Sequence, residues 1–163
     1  MAFFGFFPQA RRGVTLVEIV ITTTIIVALA ALSIPLYANF QSESLLDTTS
    51  EDIVQTLREA QTRAMAGDGD RPWGVNFAVV GDDAEFTLFR GVDYTNRDAD
   101  YDRVGILADS LTFSVLDFLN GSTTVVFQKI RGTTLNFGSL TLTSTNGDVA
   151  TISVNAAGAV DAR

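Results

Sequence analysis

The sequence predicts an α+β fold: a long N-terminal α-helix, membrane-spanning in its first half, packed on an antiparallel β-sheet or small β-sandwich head. Three observations carry this. From Ile19 to Ser42 there are 24 consecutive residues without Asp, Glu, Lys or Arg, where a bilayer-spanning helix needs about 20. Beyond Phe40, apolar residues recur at helical spacing, and after Pro72 the period drops to two.

Composition narrows the function classes. Hydrophobic residues make up 47% of the 163 and charged residues 18%, too apolar for a disordered chain. Eleven basic against nineteen acidic residues give a net charge of −8, which repels phosphate backbones, so no nucleic-acid partner is expected. Cys and His both count 0. Disulfides, thiolate catalysis, the Ser-His-Asp triad and the usual zinc ligands are excluded. No catalytic constellation is visible, so the chain is not expected to be an enzyme or to carry a cofactor.

The first element starts beside two cations. Arg11 and Arg12 precede the apolar run, and no acid precedes Glu18. Such a bias keeps that end cytoplasmic and sends the rest outward. Three readings compete: a signal peptide cut near Ala28-Leu29-Ala30, a plain anchor, and a processed leader that keeps its hydrophobic helix. Glu18 separates them. An ionised carboxylate at the bilayer centre costs roughly 2.5–3.5 kcal/mol, and neither of the first two gains from it.

At these residues the sequence resembles the type IV pilin and type II secretion pseudopilin family. The cleavage motif stands as Gly13-Val14-Thr15-Leu16-Val17-Glu18 behind Arg11-Arg12, with Pro35 and Tyr37 at the family's Pro and Tyr positions. Val14 departs from the usual Phe or Met. The resemblance implies a leader of residues 1–13, cut after Gly13 by a membrane-embedded prepilin peptidase that also methylates the amine of Val14. It further implies that Glu18 meets the N-terminal amine of a neighbouring subunit in a filament. Other pilin or pseudopilin subunits and an inner-membrane assembly platform are the implied partners. The implied location is the bacterial inner membrane, single-pass with the head extracytoplasmic, and a filament after assembly.

The helix continues past the membrane. Pro35 is expected to kink it without ending it. Leu46, Ile53, Leu57, Ala60 and Ala64 form a stripe, and Gly67-Asp68-Gly69-Asp70 is a stop signal with Pro72 behind it. A helix from about Thr15 to Ala66 would run ~78 Å at 1.5 Å per residue. Residues 14–66 thus form the helix, 14–40 of it in the membrane or filament core. The second half needs a cover, and a downstream sheet of the same chain is the expected one.

Residues 67–163 form the expected head. Six strands are read at 73–79, 85–90, 111–115, 124–130, 140–143 and 151–154, separated by turns such as Gly81-Asp82-Asp83, Asn120-Gly121 and Asn146-Gly147. Trp73, Phe77, Phe86 and Phe89 sit at strand spacing and are expected in the core. Thr141, Thr143, Ser144 and Thr145 are expected to face solvent. Trp73-Gly74-Val75, Ile152-Ser153-Val154-Asn155 and Gly158-Ala159-Val160 resemble the GspH/FimT class of minor pilins and pseudopilins, which carry an all-β head. DNA-uptake members use basic residues near the C-terminus, where this chain has Asp148, Asp161 and a single Arg163.

One polar segment remains. Asn96, Asp98, Asp100 and Asp102 alternate like the ligands of an oxygen-rich calcium loop. Arg103 and Val104 follow in place of a Gly, and no Glu occurs after Glu85. A solvated acidic loop is therefore expected, with Ca2+ as the alternative. For the whole chain the alternative to a filament subunit is a singly anchored extracytoplasmic β-domain that binds a ligand alone.

Overall fold

A computed structural model describes the backbone of residues 13–163 and the side chains of residues 13–31 and 41–163. The helix α1 spans Leu16–Ala66. The chain divides after Ala38 into two units, so the amphipathic half of α1 belongs with the head.

Within the second unit the predicted stripe is the buried face. Leu46, Ile53, Leu57, Ala60 and Ala64 are all in the core, joined by Val54. The helix stops where glycine permits it: Gly67 adopts φ 68° and donates its N–H to the Ala64 carbonyl at 3.1 Å, closing the last turn. The Trp73 indole N–H then bonds the Asp68 carbonyl at 2.9 Å, fixing the exit.

Eight strands follow: β1 Trp73–Val80, β2 Asp83–Arg90, β3 Asp98–Ile106, β4 Leu111–Phe118, β5 Thr124–Phe127, β6 Gly138–Ser144, β7 Val149–Val154 and β8 Val160–Ala162. They form two antiparallel four-stranded sheets, ordered β3-β2-β1-β5 and β4-β6-β7-β8. Phe77 of β1 joins the two, edge-on to Phe113 at 5.7 Å and stacked on Phe118 at 5.8 Å, both from β4. The helix is tied to the second sheet by Arg58, which donates to the Val160 carbonyl at 3.2 Å. Gln61 donates to the Gly132 carbonyl at 3.0 Å.

Four expectations change. Two strands, β3 and β8, were not among the six. The acidic segment is a loop only as far as Arg97, and Asp98 to Ile106 pair with β2. The strand read through Ile130 ends at Phe127, because Ile130 turns into a left-handed conformation (φ 70°) and donates its N–H to the Ala64 carbonyl at 2.8 Å. Ser144 is buried rather than solvent-facing, since its hydroxyl accepts the N–H groups of Asn146 and Asp148 and caps the β6–β7 turn. The four aromatic residues are buried as expected. Phe89, however, lies on the outer face of its sheet, edge-on to Tyr94 at 5.5 Å.

Candidate functional site at the start of the helix

Thr15 sets the first turn. Its hydroxyl accepts the Glu18 N–H at 3.2 Å, and its carbonyl accepts the Ile19 N–H at 3.2 Å. This is N-cap geometry. The Thr15-x-x-Glu18 spacing is the sequence signature of a capping box, a signal that went unread beside the cleavage motif. Glu18 therefore has a local role as well: an acid in the first turn complements the positive end of the helix dipole.

Beyond the cap, every described residue from 13 to 31 is exposed. Val14 is 67% accessible and Leu16 80%, and Ile21, Ile25, Ile26 and Leu29 are each above half. Among the described residues this stretch is thus mostly apolar and uncovered, and its threonine hydroxyls turn back on the helix. Thr22 Oγ1 donates to the Glu18 carbonyl at 2.8 Å, Thr23 Oγ1 to Ile19 at 2.8 Å and Thr24 Oγ1 to Val20 at 2.7 Å. Back-bonding spends these hydroxyls inside the helix, leaving no bare donor to meet hydrocarbon. The Glu18 carboxylate, the one charged side chain within residues 13–31, would need a partner in order to be buried.

Gly13 is the first residue described, and no described atom lies within 4 Å of where a Cβ would stand. Arg11 and Arg12 lie outside the described residues, as do the side chains of Pro35 and Tyr37; the helical backbone runs through both positions. Among the described residues no helix is long and apolar enough to cross a membrane. The uncharged run continues through residues 32–40, whose side chains are outside that description.

The four calcium candidates are dispersed. Asp98 pairs with Arg90, which holds its carboxyl below the usual range. Asp102 accepts from Arg97 Nε at 2.7 Å. Asn96 is exposed and bonds within its own loop, donating its backbone N–H and its amide to Asp93 at 2.7 and 2.9 Å. Asp100 is exposed on the edge strand. No group of three or more acidic side chains that could hold a metal occurs among the described residues. The cations continue onto aromatic rings: Arg90 stacks on Tyr101 at 3.5 Å and Arg97 on Tyr94 at 3.9 Å.

With this geometry in place, the fold is similar to that of a solved structure, the type IV minor pilin FimU of Pseudomonas aeruginosa strain PAO1. The match has a TM-score of 0.56 at 17% identity and covers 76% of this chain and 92% of that one. No protein-family model and no curated protein matches the sequence.

Proposed function

We propose that this chain is a structural subunit of a type IV pilus or a type II secretion pseudopilus, a minor pilin or pseudopilin of the GspH/FimT class. The observation that carries the proposal is the helix start, apolar on every side and uncovered by its own chain, on a head whose fold is like that of a minor pilin. A plain anchor would share the apolar helix. It would gain from Glu18 no more than the small helix-dipole term, against the cost of a carboxylate inside the bilayer.

On this reading the leader Met1–Gly13 holds the N-terminus in the cytoplasm through Arg11 and Arg12. Prepilin peptidase cuts between Gly13 and Val14 and methylates the new amine. At an assembly platform in the inner membrane, the helix leaves the bilayer and packs among the helices of other subunits. There the Glu18 carboxylate meets the Val14 amine, or its equivalent, of a neighbour. Removing one member of such a pair leaves a buried charge, a loss of about 3–5 kcal/mol, so the acid favours the assembled state.

N-terminal sequencing of the membrane-extracted protein tests the proposal. A chain beginning at methylated Val14 supports it. A chain beginning at Met1 or Ala31 supports a singly anchored binding domain in its place.

A further inference from the structure

The head carries a cleft distant in sequence from the helix start on which the proposed function rests. It opens on the outer face of the first sheet and encloses about 580 Å³, within the range of small-molecule sites. Its floor follows from register. Val75 and Trp73 pair with Val125 and Phe127 and are buried on the core side, so Asn76 and Gly74, with Thr124 and Val126 opposite them, face outward. The loop after β2 forms one wall through Val92 and Asp93, and Leu135 and Asn136 form the other.

Asn76 is the telling residue. It is only 5% exposed, yet it lines the cleft. Its Oδ1 accepts from Thr124 Oγ1 at 2.8 Å and from Thr123 Oγ1 at 3.4 Å. Its Nδ2 has no partner among the described residues and is not sealed from the cleft. A nearly buried amide with a donor open to a cleft is available to a ligand seated there. Around it are further groups that both give and accept. Gln128 Oε1 takes the Thr133 hydroxyl at 3.2 Å, and Asn136 Nδ2 donates to Ser122 at 2.9 Å, leaving the other end of each amide to the cleft.

Charge narrows the ligand. No Lys or Arg lines the cleft, so a phosphate or sulfate finds no counter-ion on a chain of net charge −8. The one acid, Asp93, is occupied by Asn96, and a lone carboxylate does not make a cation site. The rim adds apolar surface: Val92 is 63% exposed and Leu135 69%. An extended peptide is the poorer fit, because the nearby strand edge is closed. The N–H and C=O of Thr124 are both bonded to the Ser122 hydroxyl, at 3.1 and 2.9 Å, and the Gln128 N–H to the Thr133 carbonyl at 2.8 Å. What remains is an uncharged molecule dense in hydroxyls with an apolar face.

We infer that this cleft is a binding site for an uncharged sugar, with the Asn76 amide as its anchoring donor and Val92 and Leu135 against the C–H face of the ring. The site lies wholly within residues 39–163 and does not depend on whether the chain enters a filament.

Saturation-transfer NMR on the full chain in lauryldimethylamine oxide micelles, which present no sugar headgroup, tests this. The probes are the methyl glycosides of glucose, galactose and N-acetylglucosamine, cellobiose, lactose, and an acetylated Thr-Thr-Ala amide as the peptide control. At least one sugar is expected to bind. Asn76→Asp, which replaces the donor by an acceptor, is expected to weaken that sugar at least about tenfold. Thr95→Trp, at an exposed position of the mouth, is expected to abolish it with circular dichroism unchanged. Failure of every sugar to bind the parent protein overturns the inference, as does sugar binding that survives Thr95→Trp. Binding of the peptide in place of the sugars, blocked by the same tryptophan, overturns the assignment to sugars.

Discussion

At Gly158 the fold leaves room for one hydrogen atom. A Cβ there would stand 2.1 Å from the Gly132 carbonyl oxygen and 2.5 Å from Gln61 Nε2, on a backbone at φ 88°. Gly147 has an equally left-handed φ of 91° with nothing within 4 Å. The two positions separate backbone strain from collision. Gly147→Ala is expected to cost only the left-handed penalty, about 1–2 kcal/mol. Gly158→Ala adds displacement of the 128–133 loop and of a bond from α1, for a total of about 3–4 kcal/mol. Thermal melts of both variants check this, and equal losses would show that the loop yields freely. Gly158 was legible only as part of a Gly-Ala-Val likeness. Its physical reason is a backbone approach from Gly132, distant in the chain, which no local pattern announces.

The elements differ in how far they announce themselves, and α1 does so most. Its stripe is written at 3.6-residue spacing and sustained for several turns, so Leu57 and Ile53 could be named as core before any partner was known. Leu57→Ala is expected to destabilise by about 2–5 kcal/mol, while Gln55→Ala, exposed on the opposite side, stays within about 0.5 kcal/mol; chemical denaturation measures both. Strand β3 lies at the other extreme. Asp98-Ala99-Asp100-Tyr101-Asp102 has poor strand propensity, and it is an edge strand whose charges discourage a further partner. It is held by groups supplied from elsewhere: Arg90 on Asp98 and Tyr101, the Trp73 ring edge-on to Tyr101 at 6.3 Å, and Glu59 of α1 bonded to Arg103 at 2.6 Å. Glu59 also bonds Arg63 at 2.7 Å. Burial pushes the Glu59 carboxyl up, but the hydrogen bonds and charges of Arg103 and Arg63 outweigh it and hold the group below its ordinary value. A depressed carboxyl stabilises fully above its unfolded pKa, and that contribution is lost as pH falls through the lower folded value. Glu59→Gln should therefore melt below the parent protein at pH 7 and coincide with it near pH 2. A gap that persists undiminished at pH 2 would mean that the ion pairs are not what Glu59 contributes.

Across the whole molecule, α1 obeys two burial rules in succession. From Asn39 onward it has one apolar face, and its own sheets cover that face. Before that, the described side chains, those of residues 13–31, are mostly apolar and all exposed. The first condition is satisfied by folding; on the proposed function the second is met by a membrane or by other subunits. On the proposed function Glu18 biases the choice between those two: in lipid its carboxylate would be unpaired, and among packed helices whose leaders have been removed it would meet an amine. The acid also lies in the first turn, where it complements the helix dipole, so a plain deletion would confuse assembly with helix stability. Glu18→Gln keeps the side chain's shape and the Thr15 bond to the backbone, at a loss of only about 0.3–1 kcal/mol from the dipole. Glu18→Asp keeps the charge. The glutamine variant is expected to be cut between Gly13 and Val14 at the normal rate, to accumulate in the membrane, and to be missing from the sheared filament fraction. The aspartate variant should partly restore it. Immunoblots of the two fractions with an N-terminal mass for each variant read all three quantities. Glutamine at position 18 in filaments at the parent level would show that the carboxylate serves only the helix dipole, and that the exposed helix is there simply to anchor the head.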